Sequence, residues 1–519
     1  MQTLNIVIIA VYLASMLLFG WWGRRRTSGT SDYLVAGRRL GPFLYTGTMS
    51  ALVLGGASTV GGVGLGYEYG ISGLWLVTAI GVGVLLLSLL FAPTLQRLKI
   101  FTVSQMLTLR YGSEATQVSS IVMLAYTLML AATSTGAYAS IFVVLFGWDR
   151  WLSIVVGGGI VLVYAVVGGM WSITLADMAQ FLIMTVGLFA LMLPLSLAQA
   201  GGWSGLGQRL DAEFFDLGGM GLQSILTYFV VYTLGLLIGQ DIWQRVFTAR
   251  SPQVARWGGS AAGVYCILYG VAGAVIGMAA AVALPQIEVR DDVFATVASQ
   301  LLPVGLGGMA LAAAVAAMMS TASGALIAAA TVARADVVPL VRGLLERRRT
   351  RRLDAAAAHA QAEADAAEAK DFEEDVDTNR WWVLGLGLFV LALAIAVPDV
   401  VAALTIAYDI LVGGLLVAIL GGLVWPRGTG AGAAWSMAAG TLGTLATMIT
   451  LEVQAEERFA GVYANEPIYV GLAASVLVYT VVSLLTTPTH PSVLAAWRRR
   501  TVEGAPEEFV RSRHVVDHR

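Results

Sequence analysis

The chain is short of charge, of cysteine and of histidine, and each shortage removes a class of function. Only 12% of its 519 residues are charged, while 57% are hydrophobic. An average soluble protein is about a quarter charged, so a soluble globular fold is excluded and a polytopic membrane protein is expected. The single cysteine, Cys266, lies inside an apolar run, so one chain can form neither a disulfide framework nor a thiolate metal site. The four histidines, His359, His490, His514 and His518, fall in polar segments or the tail. A haem or membrane redox centre could not use them there, which argues against a membrane oxidoreductase. The net charge of -2 is uninformative, because the placement of charge matters more than its sum.

What the chain has instead is long apolar runs. Stretches of about 20 residues, enough to cross a bilayer, number about thirteen. They fall at 3-22, 44-63, 73-95, 117-146, 151-168, 176-199, 222-244, 257-284, 303-335, 381-397, 401-425, 432-451 and 467-487. The first has no basic residues before it, and Arg24, Arg25 and Arg26 follow it, so it reads as a retained span with its N-terminus outside. With thirteen spans the C-terminus is then cytoplasmic, and the loops on that side should hold the positive charge. They hold 27 of the 31 Lys and Arg residues, leaving Arg150, Arg209, Arg290 and Arg458 on the other side. Adding or dropping a span in the middle would scramble that asymmetry.

The expected organisation follows. Residues 1-43 form a first helix and cytoplasmic loop, 44-199 a first block of five spans, and 200-221 an external loop. Residues 222-425 form a second block, 426-487 two additional helices and 488-519 a cytoplasmic tail. Within the second block, 341-380 is a charged insertion in which RRRTRR precedes an alanine-rich acidic run. Its basic end suits anionic headgroups; a regulatory role is the alternative. Short loops elsewhere leave no room for an extramembrane catalytic domain, so an enzyme is not expected.

Two spans read as interrupted. The second carries glycines at 55, 56, 61, 62, 64, 66 and 70, and the seventh brings Gly235, Gly239, Gln240 and Asp241 to its end. Irregular backbone at membrane depth persists only where it is buried in protein or lines a cavity. Interrupted segments in corresponding positions of two halves point to a transporter's binding site. Five-span blocks, being odd, insert with opposite orientation.

The ninth span, 309-336, sets Ser320, Thr321, Ser323 and Thr331 among alanines. Ala317, Ser320 and Thr321 stand at i, i+3 and i+4, so one carbonyl and two hydroxyls share a helical face able to coordinate a small hard cation. Close helix packing, with the hydroxyls bonding back to their own helix, explains the same composition. Asp177 begins the sixth span, where a dipole interaction or a functional role both fit. Asp409 lies mid-span and must pair, be protonated or face water.

Blocks in order along the first two thirds of the chain resemble the sodium/solute symporter family, which includes sodium-coupled proline, sugar and sialic acid transporters. They are SDYLVAGRRLGP from Ser31, the glycine-rich second span, FTVSQMLTLRYG from Phe101, and YAVVGGMWSITLADMAQ from Tyr164. Gln244 and Arg245 with TARSPQVAR, and AAMMSTASG from Ala316, complete the set. The resemblance implies an all-α fold of about 13 transmembrane helices: an inverted 5+5 helix repeat with one helix before it and two after. It implies a sodium site formed by the carbonyls of Ala51, Leu54 and Ala317 and the hydroxyls of Ser320 and Thr321. Such an oxygen-only set suits a hard monovalent ion. Some members bind a second sodium with the carboxylate matching Asp177 and hydroxyls matching Ser320 and Ser323; the remaining hydroxyl position is Gly324 here.

Relatives that carry sugars have polar side chains where this chain has Ala57 and Ser58, and an inner aromatic gate at about Gly235. The aspartate that some amino-acid carriers place in the second span corresponds to Val53. These departures argue against a simple sugar or proline assignment. The expected solute cavity near Ala57, Ser58, Tyr126, Gln240 and Asp409 suits a compact organic solute, with an amine-bearing one favoured if Asp409 faces it. The expected function is sodium-coupled symport by alternating access in a bacterial-type inner membrane. Its partners are the solute, sodium and the lipid bilayer, without nucleic acid or organic cofactor. The alternative is a transporter-like sensor that signals solute through a separate partner; a channel is disfavoured, as no selectivity-filter motif appears.

Overall fold

The computed structural model describes residues 2–342, 375–396, 400–455 and 459–504. Most of the charged insertion and the last fifteen residues of the tail therefore lie outside the described residues. Among those described the chain is helical, and its one β-bridge joins Leu40 to Ala249. The helices that carry the argument are α1 (Gln2–Arg24), α2 (Pro42–Val53), α3 (Gly62–Tyr69), α4 (Trp75–Leu86), α5 (Ser113–Phe146) and α6 (Arg150–Thr185). They continue with α7 (Leu222–Leu236), α8 (Gln240–Thr248), α9 (Pro252–Ala283), α10 (Leu306–Val332) and α11 (Val376–Ala396). The last three are α12 (Val400–Val424), α13 (Gly430–Gln454) and α14 (Glu466–Leu485).

Ten helical runs among the described residues are long and apolar enough to cross a membrane, or up to eleven if the bent α7–α8 pair is one span. Two of those runs, of 42 and 50 residues, are about twice the length that one crossing needs. Both contain a turn that only glycine makes easily. Gly70 has φ +61°, and the turn it starts folds back against α3, with Gly73 lying so near Leu65 and Gly66 that a Cβ would collide with their backbone. Gly169 has φ +57° inside α6. The thirteen expected spans are thus one division of ten or eleven apolar runs.

Both spans read as interrupted are broken. Helix α2 stops at Leu54, whose φ of −93° and ψ of 66° leave the helical region, and the chain resumes at Gly56. Helices α7 and α8 are bent by 49° across residues 237–239. At that second break the indole Nε1 of Trp243 donates to the Leu237 carbonyl at 2.8 Å, partnering a group the bend would otherwise strand.

The alanine-rich α10 stands at the centre. All 18 residues of its most apolar window are inside the protein, and it packs on α1, α2, α5 and α6. Small side chains make that possible, because backbones from four sides can approach a surface of alanine, glycine, serine and threonine. Several of the basic residues assigned to one side of the membrane bond to backbone carbonyls near helix ends. Arg38 donates to Ile100 O, Arg97 to Thr501 O, Arg110 to Gly422 O and Arg427 to Thr486 O, at 2.8 to 3.3 Å. These contacts join segments 59 to 404 residues apart in sequence.

Candidate ion and solute site

The break in α2 faces the hydroxyl side of α10. A helix end leaves its last carbonyls without intrahelical partners. Here Thr321 Oγ1 donates to Leu52 O at 2.7 Å while also lying 3.3 Å from Ala317 O. Ser58 Oγ donates to Val53 O at 3.3 Å. Ala51, Leu54, Ala317 and Ser320 are fully buried, and Thr321 is nearly so. The Thr321 hydroxyl of α10 and the freed Leu52 carbonyl of α2 therefore meet at the break, and neutral oxygens of this kind are donors a hard monovalent cation takes. The structure thus brings together the two elements that hold the five ligands expected from the sequence.

Beside it lies a charged cluster in which Asp177 and Ser320, paired by the family resemblance, are joined by Thr48 and Arg245, which the sequence did not indicate. Asp177 on α6, buried completely, accepts from Thr48 Oγ1 at 2.5 Å, Ser320 Oγ at 2.6 Å and Arg245 Nη2 at 2.8 Å. Arg245 on α8 is itself only 1% exposed and also touches Met170 Sδ. One carboxylate thereby ties α2, α6, α8 and α10 together. Gly324 leaves the space this needs: a Cβ there would meet Leu52 and come within 3.3 Å of Arg245 Nη2. Ser323 Oγ donates to Ser320 O in its own helix at 3.0 Å. Asp177, read from the sequence as a helix-end acid or an ion ligand, has its positive partner supplied by the protein.

Above the α2 break opens a cavity of about 570 Å³. Its walls include Ala57 and Ser58 from the broken span, Thr133 and Ser134 on α5, and Tyr228, Tyr232, Tyr408 and Asp409 from α7 and α12. It also reaches Arg290 and Asn465. Thr321 lines it too, so the α2 break and the cavity adjoin.

Two of the expected solute contacts take different places. Gln240 does not line the cavity: its Nε2 donates to Phe101 O at 3.0 Å and its Oε1 accepts from Val103 N at 2.8 Å, clamping α8 to the loop before residue 103. Tyr126 does not line it either: it packs behind the wall, with its hydroxyl donating to Asp241 Oδ1 at 3.2 Å and its ring edge-on to Tyr408, centroids 5.7 Å apart. Asp241, the residue after Gln240, is the one that reaches the cavity. The polarity of the seventh span marked this stretch, but the neighbour was chosen. The space beside Gly235 is filled from another helix. Tyr408 from α12 occupies that space, so closely that a Cβ on Gly235 would lie 2.6 Å from Tyr408 Cδ1.

The model of the sodium:solute symporter family matches residues 33–353, well over half of the sequence. The chain belongs to the sodium:solute symporter family. This is a family of transporters and not of enzymes. The match ends before α11. Among curated relatives, the osmoregulated proline transporter OpuE of Bacillus subtilis (strain 168) is 26% identical over 191 residues, 35% of this chain and 39% of that protein. A sodium/proline symporter of Staphylococcus aureus (strain JH9) is 24% identical over 362 residues, 65% of this chain and 69% of that one. The chain thus aligns with well under half of the first relative's length and little more than two thirds of the second's. Among solved structures, a Na+-coupled sialic acid symporter in a substrate-bound outward-open state superposes with a TM-score of 0.76 at 16% identity. That superposition covers 94% of this chain and 98% of that one. The inward-facing conformation of Mhp1 gives 0.52 at 15% identity, over 90% and 95%. At such identities these likenesses show the fold, a multi-pass helical transporter fold, and nothing of the solute.

Proposed function

We propose that the protein is a sodium-coupled symporter that imports a small organic solute by alternating access. The observation that carries this is the hydroxyl of Thr321 bonded across the break to Leu52 O, joining α10 to the end of α2. Sodium takes the place of that bond, held by the carbonyls of Ala51, Leu54 and Ala317 and the hydroxyls of Ser320 and Thr321. The ion then draws the broken span onto the central helix and shapes the wall of the adjoining cavity, where the solute binds against Ala57, Ser58 and Asp409. Ion and solute favour the same conformation, which is all that coupling requires.

One sodium per cycle is the reading that the surroundings of Asp177 favour. Its carboxylate already faces the Arg245 guanidinium, so a second sodium there would confront a buried positive charge. Arg290, which the charge pattern assigns to the outside, lines the cavity, so the cavity is read as facing outward. The inverted relation of the α2–α6 block to the α7–α12 block gives the two halves that rock about it. The relatives and structures named above are transporters, and nothing among them supports the sensor reading.

The test is uptake of radiolabelled solute into proteoliposomes under opposed sodium and potassium gradients. Uptake driven by inward sodium alone is expected, with a Hill coefficient for sodium near one. Equal uptake with potassium would refute the coupling, and a coefficient near two would refute the single ion.

A further inference from the structure

We propose that the cavity selects solutes carrying a positively charged nitrogen, with Asp409 as the counter-ion and the tyrosines above Gly235 as the surrounding wall. This rests on the reading of that cavity as the solute site. Asp409 sits in the middle of α12, 2% exposed, and its Oδ2 has no hydrogen-bond partner among the described residues. A carboxylate at membrane depth is retained against a large desolvation cost, so a partner arriving from outside the protein is the simplest use of one that the fold leaves open. The residue lines the cavity.

No cation of the cavity wall answers it. The one basic side chain there, Arg290, lies at the mouth, 3.5 Å from Glu68 and 3.8 Å from Asp291. Deeper in, the ionisable groups on the wall are Asp241 and Asp409. Asp241 is held by the Tyr126 hydroxyl and by its place in the first turn of α8, where the helix dipole favours an acid. Asp409 has neither.

The aromatic rings complete the chemistry. Tyr228, Tyr232 and Tyr408 line the same cavity and form a chain, with centroids 6.0 Å apart for the first pair and 5.5 Å for the second. Ring faces attract organic cations, and quaternary ammonium groups in particular are held by sets of aromatic side chains. An organic acid would meet the carboxylates of Asp241 and Asp409 with no cation deep in the wall to balance it. A free organic cation and a zwitterion share the charged nitrogen, and the two are separated by the panel below.

Binding is measured by thermal shift and calorimetry on the full-length purified protein, in sodium and again in potassium. The probes are choline with its uncharged isostere 3,3-dimethyl-1-butanol, and L-proline with cyclopentanecarboxylate, which lacks the nitrogen. The expected result is that choline or proline binds and neither nitrogen-free partner does. Asp409→Asn should weaken that binding roughly tenfold or more, as loss of a buried charged contact does, while keeping the shift produced by sodium alone. Choline binding identifies a free cation, and binding by proline alone a zwitterion. The proposal is overturned if the nitrogen-free partners bind as well as the charged ones, if no charged probe binds, or if Asp409→Asn binds them unchanged. Failure of sodium to shift the unmodified protein would count against symport instead, because the potassium series reads the ammonium site without it.

Discussion

Two of the buried aspartates, Asp177 and Asp409, have opposite surroundings. Asp177 is gripped by a guanidinium and two hydroxyls within 2.8 Å, whereas Asp409 keeps an oxygen that no described group satisfies. A buried charge that the fold neutralises is an architectural joint, and one that it leaves open is a socket. The contrast locates rigidity near the junction of α2, α6, α8 and α10, and selectivity in the tyrosine-lined cavity.

The sharpest break of that contrast is Arg245→Met. It strands the Asp177 carboxylate and should cost about 3–5 kcal/mol, seen as a large fall in Tm or a failure to accumulate in the membrane. Adding Asp177→Asn to the same chain should restore most of it. A double variant no more stable than Arg245→Met would mean the pair is not the joint. Gly235→Ala comes next. Its Cβ displaces the Tyr408 ring, and overpacking of this kind costs about 1–3 kcal/mol. Thermal melts should register it, and Gly235→Ala with Tyr408→Ala should recover the loss. The smallest effect on stability belongs to Asp409→Asn, which removes an unpartnered charge and leaves Tm unchanged or raised within about 0.5 kcal/mol. A fall as large as that of Arg245→Met would show that Asp409 has a structural partner after all.

The parts of this arrangement legible in the sequence are those written locally. Clustered glycines announced both broken spans because the backbone needs them there, and the spacing of Ala317, Ser320 and Thr321 gave the hydroxyl face directly. Asp409 was conspicuous because a mid-span acid has few bland explanations. What escaped was set by distant pairings. The partner of Asp177 lies 68 residues away in a helix whose rotation the sequence does not state. Gln240 and Asp241 are adjacent, so they point to different faces, and only the bend at 237–239 decides which one reaches the cavity. The tyrosine over Gly235 comes from another helix altogether. The span count was limited differently: apolar length gives crossings only where turns such as those at Gly70 and Gly169 divide a run.

The central claim is that sodium sits where Thr321 now bridges α10 to the end of α2. Its most direct test is the sodium concentration that gives half-maximal thermal stabilisation, compared between the unmodified chain and Ser320→Ala with Thr321→Ala, in potassium-balanced buffer. The expected result is a rise of about tenfold or more in the double variant, the loss of about 1.4 kcal/mol of ion binding. An unchanged sodium titration in a folded double variant would contradict the site.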